Sequence, residues 1–238
     1  MITNRTTSQA GTGTLLGVWA HPDDEAFLSA GLMAAARRRG DRVVVVTATA
    51  GELGTNDPAT WPPERLAEHR RSELRRSLAL LGVTEHVMLG FPDGACDEFD
   101  GTSQIAGIIE RVQPTTIVTF GPDGMTNHVD HRAVSEWTTA AWSASDIDAE
   151  LWYATLTPDF HARWGALNDE VGLWGPDGPP CTAVDDLAHH LVLDGAALDQ
   201  KIAALRAHAS QTSALVDVVG AETFRSWWSA EAFVNAAG

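Results

Sequence analysis

The sequence predicts an α/β fold: a three-layer, Rossmann-like, doubly wound and mostly parallel sheet with a C-terminal elaboration. Three observations predict it. Apolar strand-like runs alternate with amphipathic helical stretches from Leu15 to Phe120. One of those runs, Val43 to Val46, is an unbroken β-branched stretch, which suits a central parallel strand covered on both faces. Glycines at 40 and 82 close the helical stretches just past their last periodic residue.

Leu15 to Ala20 reads as the first strand and Glu25 to Arg39 as the helix that follows it. Arg42 to Thr49 is the second strand. A Gly/Pro-rich loop over 50–63 leads into a long charged amphipathic helix, Glu64 to Leu81. His86 to Phe91 is a short third strand, Pro92-Asp93-Gly94 a turn, and Thr102 to Val112 a helix. Thr115 to Phe120 is the fourth strand, Gly121 to Asn127 a loop, His131 to Ser143 a helix and Leu151 to Thr155 a fifth strand. Beyond it the pattern degrades. Pro158 to Pro180 reads as a long loop, Asp194 to His208 as a helix and Ala221 to Phe233 as a last helix. The expected organisation is a frayed polar tail over 1–14 and one domain over 15–238.

The chain of 238 residues is 44% hydrophobic and 20% charged, enough for one full core. No apolar run reaches the length of a membrane span, and Met1 to Thr14 lacks the basic start and apolar middle of a signal peptide. Cys96 and Cys181 do not suggest a disulfide framework, so a reducing, cytoplasmic setting is expected. A formal net charge of −16 disfavours nucleic acid and anionic membranes as partners, since both reward basic patches.

Two clusters carry chemistry: His21-Pro22-Asp23-Asp24-Glu25 and His128-Val129-Asp130-His131. Each follows a predicted strand, the first and the fourth. In the common doubly wound order 3-2-1-4-5 these strands are neighbours, and ligands bind in the crevice at their carboxyl ends. Topology alone thus sets the clusters side by side. Neutral imidazoles with a carboxylate are ordinary zinc ligands, and a catalytic zinc keeps three of them with a place left for water. His21, Asp23, Asp24, His128 and His131 compete for that role. Asp23 and Asp24 are adjacent in a turn, so their side chains diverge; one is free to bind metal while the other faces the water. Asp130 is placed to hydrogen-bond a histidine ring nitrogen and fix its tautomer.

Ala20 to Glu25 and Asn127 to His131 also resemble the two motifs of the LmbE-like, or PIG-L, zinc-dependent deacetylases. Thr49 to Gly54, Arg70 with Glu73, Phe91 to Gly94, and Lys201 with His208, Ser210 and Gln211 are similar to further family positions. The resemblance spans about residues 15–215. It implies one zinc per chain held by His21, Asp24 and His131, and Asp23 as general base. It further implies that His128 holds the oxyanion or protonates the amine, that Asp130 orients His128, and that Glu52, Arg70 and Asp93 meet substrate. The implied activity is a metal-dependent amidohydrolase that removes N-acetyl groups from N-acetylglucosamine-type amino sugars, including intermediates of thiol cofactors and glycosylated antibiotics. The implied partner is therefore a small-molecule amino sugar conjugate, with a homo-oligomer as an open possibility. Two departures stand out: Thr126 replaces a tyrosine that some members carry, and Leu28 and Ser29 stand where many have glycine.

Three rival readings are weaker. A facial-triad iron oxygenase uses similar ligands but normally on an all-β barrel. A non-catalytic sugar binder has no need of Asp23, His128 and Asp130 together. A nucleotide-binding protein would carry glycines, not Asp-Asp, after the first strand.

Overall fold

The computed structural model describes residues 13–174 and 178–236. Its elements run β1 (Thr14–Trp19), α1 (Asp24–Arg39), β2 (Arg42–Thr47), α2 (Pro63–Leu80), β3 (Glu85–Met88), α3 (Thr102–Val112) and β4 (Thr116–Phe120). A short turn of helix α4 (Gly124–Asn127), then α5 (Val129–Ser143), β5 (Glu150–Thr155) and α6 (Pro158–Val171) follow. The chain ends through β6 (His189–Val192), α7 (Gly195–Ala207), α8 (Ala209–Val219), α9 (Ala221–Trp227) and β7 (Ala230–Asn235).

The strands form one sheet in the order β3-β2-β1-β4-β5-β7-β6. β1 to β5 pair in parallel, as the α/β alternation requires. β7 runs antiparallel to both β5 and β6. Val43 to Val46 are buried, paired in register with Leu15 to Val18 of β1. β-branched side chains fill both faces of such a strand without leaving a polar stripe. Gly40 ends α1 at φ 89°, and its N–H reaches back to the carbonyls of Ala36 and Arg37.

Buried apolar side chains from Leu15 to Phe233 make one contiguous cluster around this sheet. Trp19 meets Phe120 edge-on at 5.0 Å beneath the ends of β1 and β4. Trp137, Trp227 and Trp228 are core residues, as their helical spacing suggests, while Trp142 is only partly buried.

The C-terminal third differs from expectation in three places. Pro158–Val171 is helix, not loop: Thr157 caps it by accepting from the Phe160 N–H, and Pro158 sits where a missing N–H costs nothing. The expected last helix stops at Trp227, and Ala230–Asn235 is a strand inserted between β5 and β6. Short apolar runs do not distinguish strand from helix by periodicity. α8 and the edge strand β6 are additional elements. Of the expected N-terminal tail, residues 1–12 lie outside the described residues, and Thr14 already belongs to β1. No helix among the described residues is long and apolar enough to cross a membrane.

Candidate metal-dependent active site

Both clusters leave their strands at the carboxyl end of the sheet, and β1 pairs directly with β4. The turn after β1 is sharp: Asp23 has φ 123°, a conformation non-glycine residues rarely adopt. It is held because the Asp23 carbonyl accepts from the Ala26 and Phe27 amides, while its own N–H donates to Glu25 Oε2 at 2.9 Å. After β4, Gly124, Met125 and Asn127 all have positive φ, which folds the loop back so that α5 starts inside the crevice.

Three side chains converge there, Asp24 with a different oxygen toward each histidine. His21 Nδ1 lies 3.0 Å from His131 Nε2 and 3.6 Å from Asp24 Oδ2, and His131 Nε2 lies 3.4 Å from Asp24 Oδ1. Ligands on a tetrahedral zinc with bonds of ~2.0–2.1 Å sit about 3.3 Å apart, so this set fits one such ion. The rings present the correct nitrogens. His131 Nδ1 donates to the Gly124 carbonyl at 2.9 Å and is also 3.2 Å from Thr126 Oγ1, leaving Nε2 as a lone pair. His21 Nε2 is 3.0 Å from Asp130 Oδ2 and 3.1 Å from Asp93 Oδ1, leaving Nδ1 for a metal. Two further combinations, His21 with His128 and His131, and His21 with Asp93 and Asp130, bring their donor atoms within 4.8 Å of one another. The clustered His and Asp side chains can therefore hold a divalent cation.

The charge distribution agrees. Burial disfavours a charged imidazole at His21, but hydrogen bonds to Asp130 and Asp93 and the charge of Asp24 outweigh it and raise its pKa to about 10. His131 is driven the other way, well below the usual histidine value, by burial and by the charge on His21. One positive charge, on His21, is thus favoured among the surrounding carboxylates, and a second, on His131, is opposed. Asp130 accepts from the Gly94 and Cys96 amides at 2.7 and 2.9 Å and stays far below the ordinary carboxylate range despite burial. Its side-chain partner is His21, where the resemblance implied His128. Toward His128 it offers only its backbone N–H, 3.2 Å from Nδ1.

Asp23, Asp24, His128 and Arg70 line the same cavity, of about 460 Å³. Burial pushes the Asp23 carboxyl up to about 6, against the opposing pull of Arg70. Arg70 donates to the Gly51 and Pro22 carbonyls at 2.8 and 2.7 Å and stands 3.4 Å from Asp23 Oδ2. Arg70 therefore ties the turn after β1 to the loop after β2, with its Nε unpaired among the described residues. Glu52 accepts from the Asp93 N–H at 3.1 Å, and Asp93 accepts from the Leu53 N–H at 2.8 Å, so the loops after β2 and β3 interlock.

A family model described as PIG-L, GlcNAc-PI de-N-acetylase, matches residues 16–142, more than half of the chain and both clusters. The chain belongs to the PIG-L, or LmbE-like, deacetylase family. Among the family's relatives it is similar to a 1D-myo-inositol 2-acetamido-2-deoxy-alpha-D-glucopyranoside deacetylase from Kineococcus radiotolerans, 33% identical over 85% of this chain and 70% of that one. The enzyme of the same description from Corynebacterium diphtheriae is 34% identical over 82% of this chain and 75% of its own. In structure it is similar to the zinc inhibited form of teicoplanin deacetylase Orf2, with a TM-score of 0.66 at 17% identity, covering 94% of this chain and 99% of that one. At that identity the likeness speaks for the fold.

Two residues of those motifs were given no role in the site. Glu25 ends the first cluster and is wholly buried; it accepts from Asp23 N, from Ser77 Oγ at 3.2 Å and from His208 Nε2 at 2.8 Å. His208 is likewise wholly buried. Their signal was a carboxylate inside a metal motif and a histidine far along the chain; only the fold pairs them. Trp174 lines the cavity, whereas Trp61 stacks on His69 and Trp164 packs near Trp227. Tyr153 Oη bonds to Thr139 at 2.8 Å, so it does not stand in for the tyrosine some members have at the Thr126 position.

Proposed function

We propose that this protein is a zinc-dependent hydrolase that removes the N-acetyl group from an N-acetylglucosamine-type amino sugar conjugate. The convergence of His21 Nδ1, Asp24 and His131 Nε2 beside Asp23 and His128, on the floor of one cavity, carries this reading. His21, Asp24 and His131 would hold one zinc. When bound, zinc supplies Lewis acidity at the amide carbonyl and makes water nucleophilic near neutral pH.

Asp23 is the general base. Its carboxylate is held between Arg70 and the strained turn, and it takes the proton of the attacking water. A buried carboxyl with a raised pKa also carries that proton long enough to return it to the leaving nitrogen. His128 accepts from the Asp130 N–H through Nδ1, so the neutral ring carries its proton on Nε2. That N–H is the donor for the developing oxyanion, a role typically contributing about 10²–10³ in rate. Thus Asp23 moves the proton and His128 holds charge. Asp130 acts as a positioning residue on His21.

The test is acetate release from N-acetylglucosamine glycosides by zinc-loaded protein, with Asp23→Asn alongside. Asp23→Asn is expected to keep its zinc and lose about 10²–10⁴ in kcat. Turnover by Asp23→Asn at the parent rate would remove the base assignment. Failure of zinc-loaded parent protein to hydrolyse any N-acetyl amino sugar would remove the function.

A further inference from the structure

We propose that the substrate carries an apolar alkyl or aryl group beside its scissile amide, seated on Leu28, Leu156, Leu215 and Trp228. This rests on the deacetylase reading and narrows its substrate class.

The cavity lining is mixed. Its polar groups are the histidines, Asp23, Asp24, Asp93 and Arg70. Phe27, Leu28, Leu156 and Trp228, which also line a neighbouring pocket together, form an apolar wall, and Leu215 of α8 adds to the apolar lining. The polar side-chain atoms beside that wall are few. Gln211 Nε2 donates to the Gly54 carbonyl and to Ser210 Oγ, and Thr126 Oγ1 is 3.2 Å from His131 Nδ1. The indole N–H groups of Trp174 and Trp228 have no partner among the described residues, but both are enclosed rather than presented to the cavity. Among the described residues Arg70 is the lone Lys or Arg lining the cavity, and its terminal nitrogens serve main-chain carbonyls.

A polyhydroxylated group laid on these side chains would lose water and regain few hydrogen bonds. An apolar group gains by the same burial. The wall is also rigid. Phe27 meets Trp228 edge-on at 4.6 Å, and the Phe27 carbonyl is held by buried Lys201 Nζ at 2.7 Å. Leu28 occupies a position directly after the metal-binding turn, so its side chain reaches the cavity next to the reacting centre. The polar groups remain for the sugar hydroxyls, and the mixed lining fits a substrate with polar and apolar parts.

The apolar group has two possible attachments, the amine side as an aglycone or the acyl side as a longer chain, and two substrate series separate them. Zinc-loaded full-length protein is assayed for free amine release from methyl, phenyl and hexyl N-acetylglucosaminides and the myo-inositol glycoside. The second series is methyl glucosaminide bearing N-acetyl, N-butanoyl or N-hexanoyl groups. In one of the two series kcat/KM should rise at least about tenfold with apolar size. Leu28→Asn and Leu215→Asn should each cut that gain to roughly threefold or less. Because the readout is a ratio within one variant, partial loss of folded protein does not imitate it.

Flat profiles in both series, or fastest turnover of the inositol glycoside, would overturn the inference while leaving deacetylation standing. If no substrate is hydrolysed, the deacetylase reading fails and binding decides the inference. Saturable quenching of tryptophan fluorescence by hexyl glucoside but not by methyl glucoside supports the apolar wall. Equal response to the two, or none, overturns it.

Discussion

Two groups of buried charge lie on opposite sides of α1, and they are built on opposite principles. In the crevice at the ends of β1 and β4, His21 and His131 point ring nitrogens at each other across 3.0 Å beside Asp24. A proton on His21 bridges the two rings, and a divalent cation in its place would engage both nitrogens and Asp24 at once. Behind the helix, Lys201 and Glu231 are both fully enclosed and close on themselves at 2.9 Å. Lys201 Nζ also takes the Phe27 carbonyl, while the two oxygens of Glu231 take the Gly31 and Leu32 amides at 2.7 and 2.9 Å. Phe27 and Gly31 stand at i and i+4, so the pair is docked on the main-chain ladder in mid-helix. A Cβ at Gly31 would lie 2.6 Å from Leu193 Cδ1 and 3.2 Å from Glu231 Oε1, so Leu193 would have to move aside. An incomplete set of polar groups makes a site; a complete one makes a wall.

The largest expected effect breaks the incomplete set. His131→Ala should bring zinc from one per chain to nearly none by elemental analysis, with activity down about 10³ or more, while circular dichroism stays that of the parent. Zinc stoichiometry unchanged in that variant would place the metal on other residues. The complete set responds in stability instead. Glu231→Ala leaves a buried ammonium and two main-chain amides without an acceptor, and should cost about 3–5 kcal/mol by urea denaturation. Lys201→Met strands the Phe27 carbonyl and leaves Glu231 with two donors, and should cost less. Equal costs for the two variants would mean that the amide contacts contribute nothing.

The smallest effect concerns Glu25 and His208, a further buried pair at 2.8 Å. Burial opposes a charge on His208, but the charge and hydrogen bond of Glu25 win and raise its pKa. A histidine whose folded pKa lies above its unfolded one stabilises the fold fully below about pH 6.5, and the contribution fades as pH climbs through the folded value. The urea midpoint of zinc-loaded protein should therefore fall with rising pH above neutrality, and His208→Gln should flatten that slope. An identical slope in His208→Gln would show that the pair is not ionised. Because Glu25 also holds the Asp23 amide, His208→Gln should lower kcat more than it raises KM.

The parts of this molecule that were legible share a physical property: each was written in a short window. Val43 to Val46 announce a central strand by composition alone. The two clusters announce a metal site because imidazole and carboxylate at such short spacing have few other uses after a strand. Illegible parts depend on partners far away. β7 is a strand because β5 and β6 offer it two ladders, and nothing in its own run of six residues prefers strand to the helix expected there. Asp130 looked like the partner of its neighbour His128, yet the loop after β3 turns it to His21.

By itself the sequence determined the parallel α/β frame and that the two clusters meet, since periodicity and motif spacing are local and strand neighbours follow from a small menu of topologies. The tertiary structure decided which nitrogens of His21 and His131 face each other, which ring Asp130 bonds, and that Arg70 ties two loops together. It also placed apolar side chains and the polar cluster in one cavity. Those outcomes turn on directions and distances between groups remote in the chain, and no local pattern of residues encodes a direction.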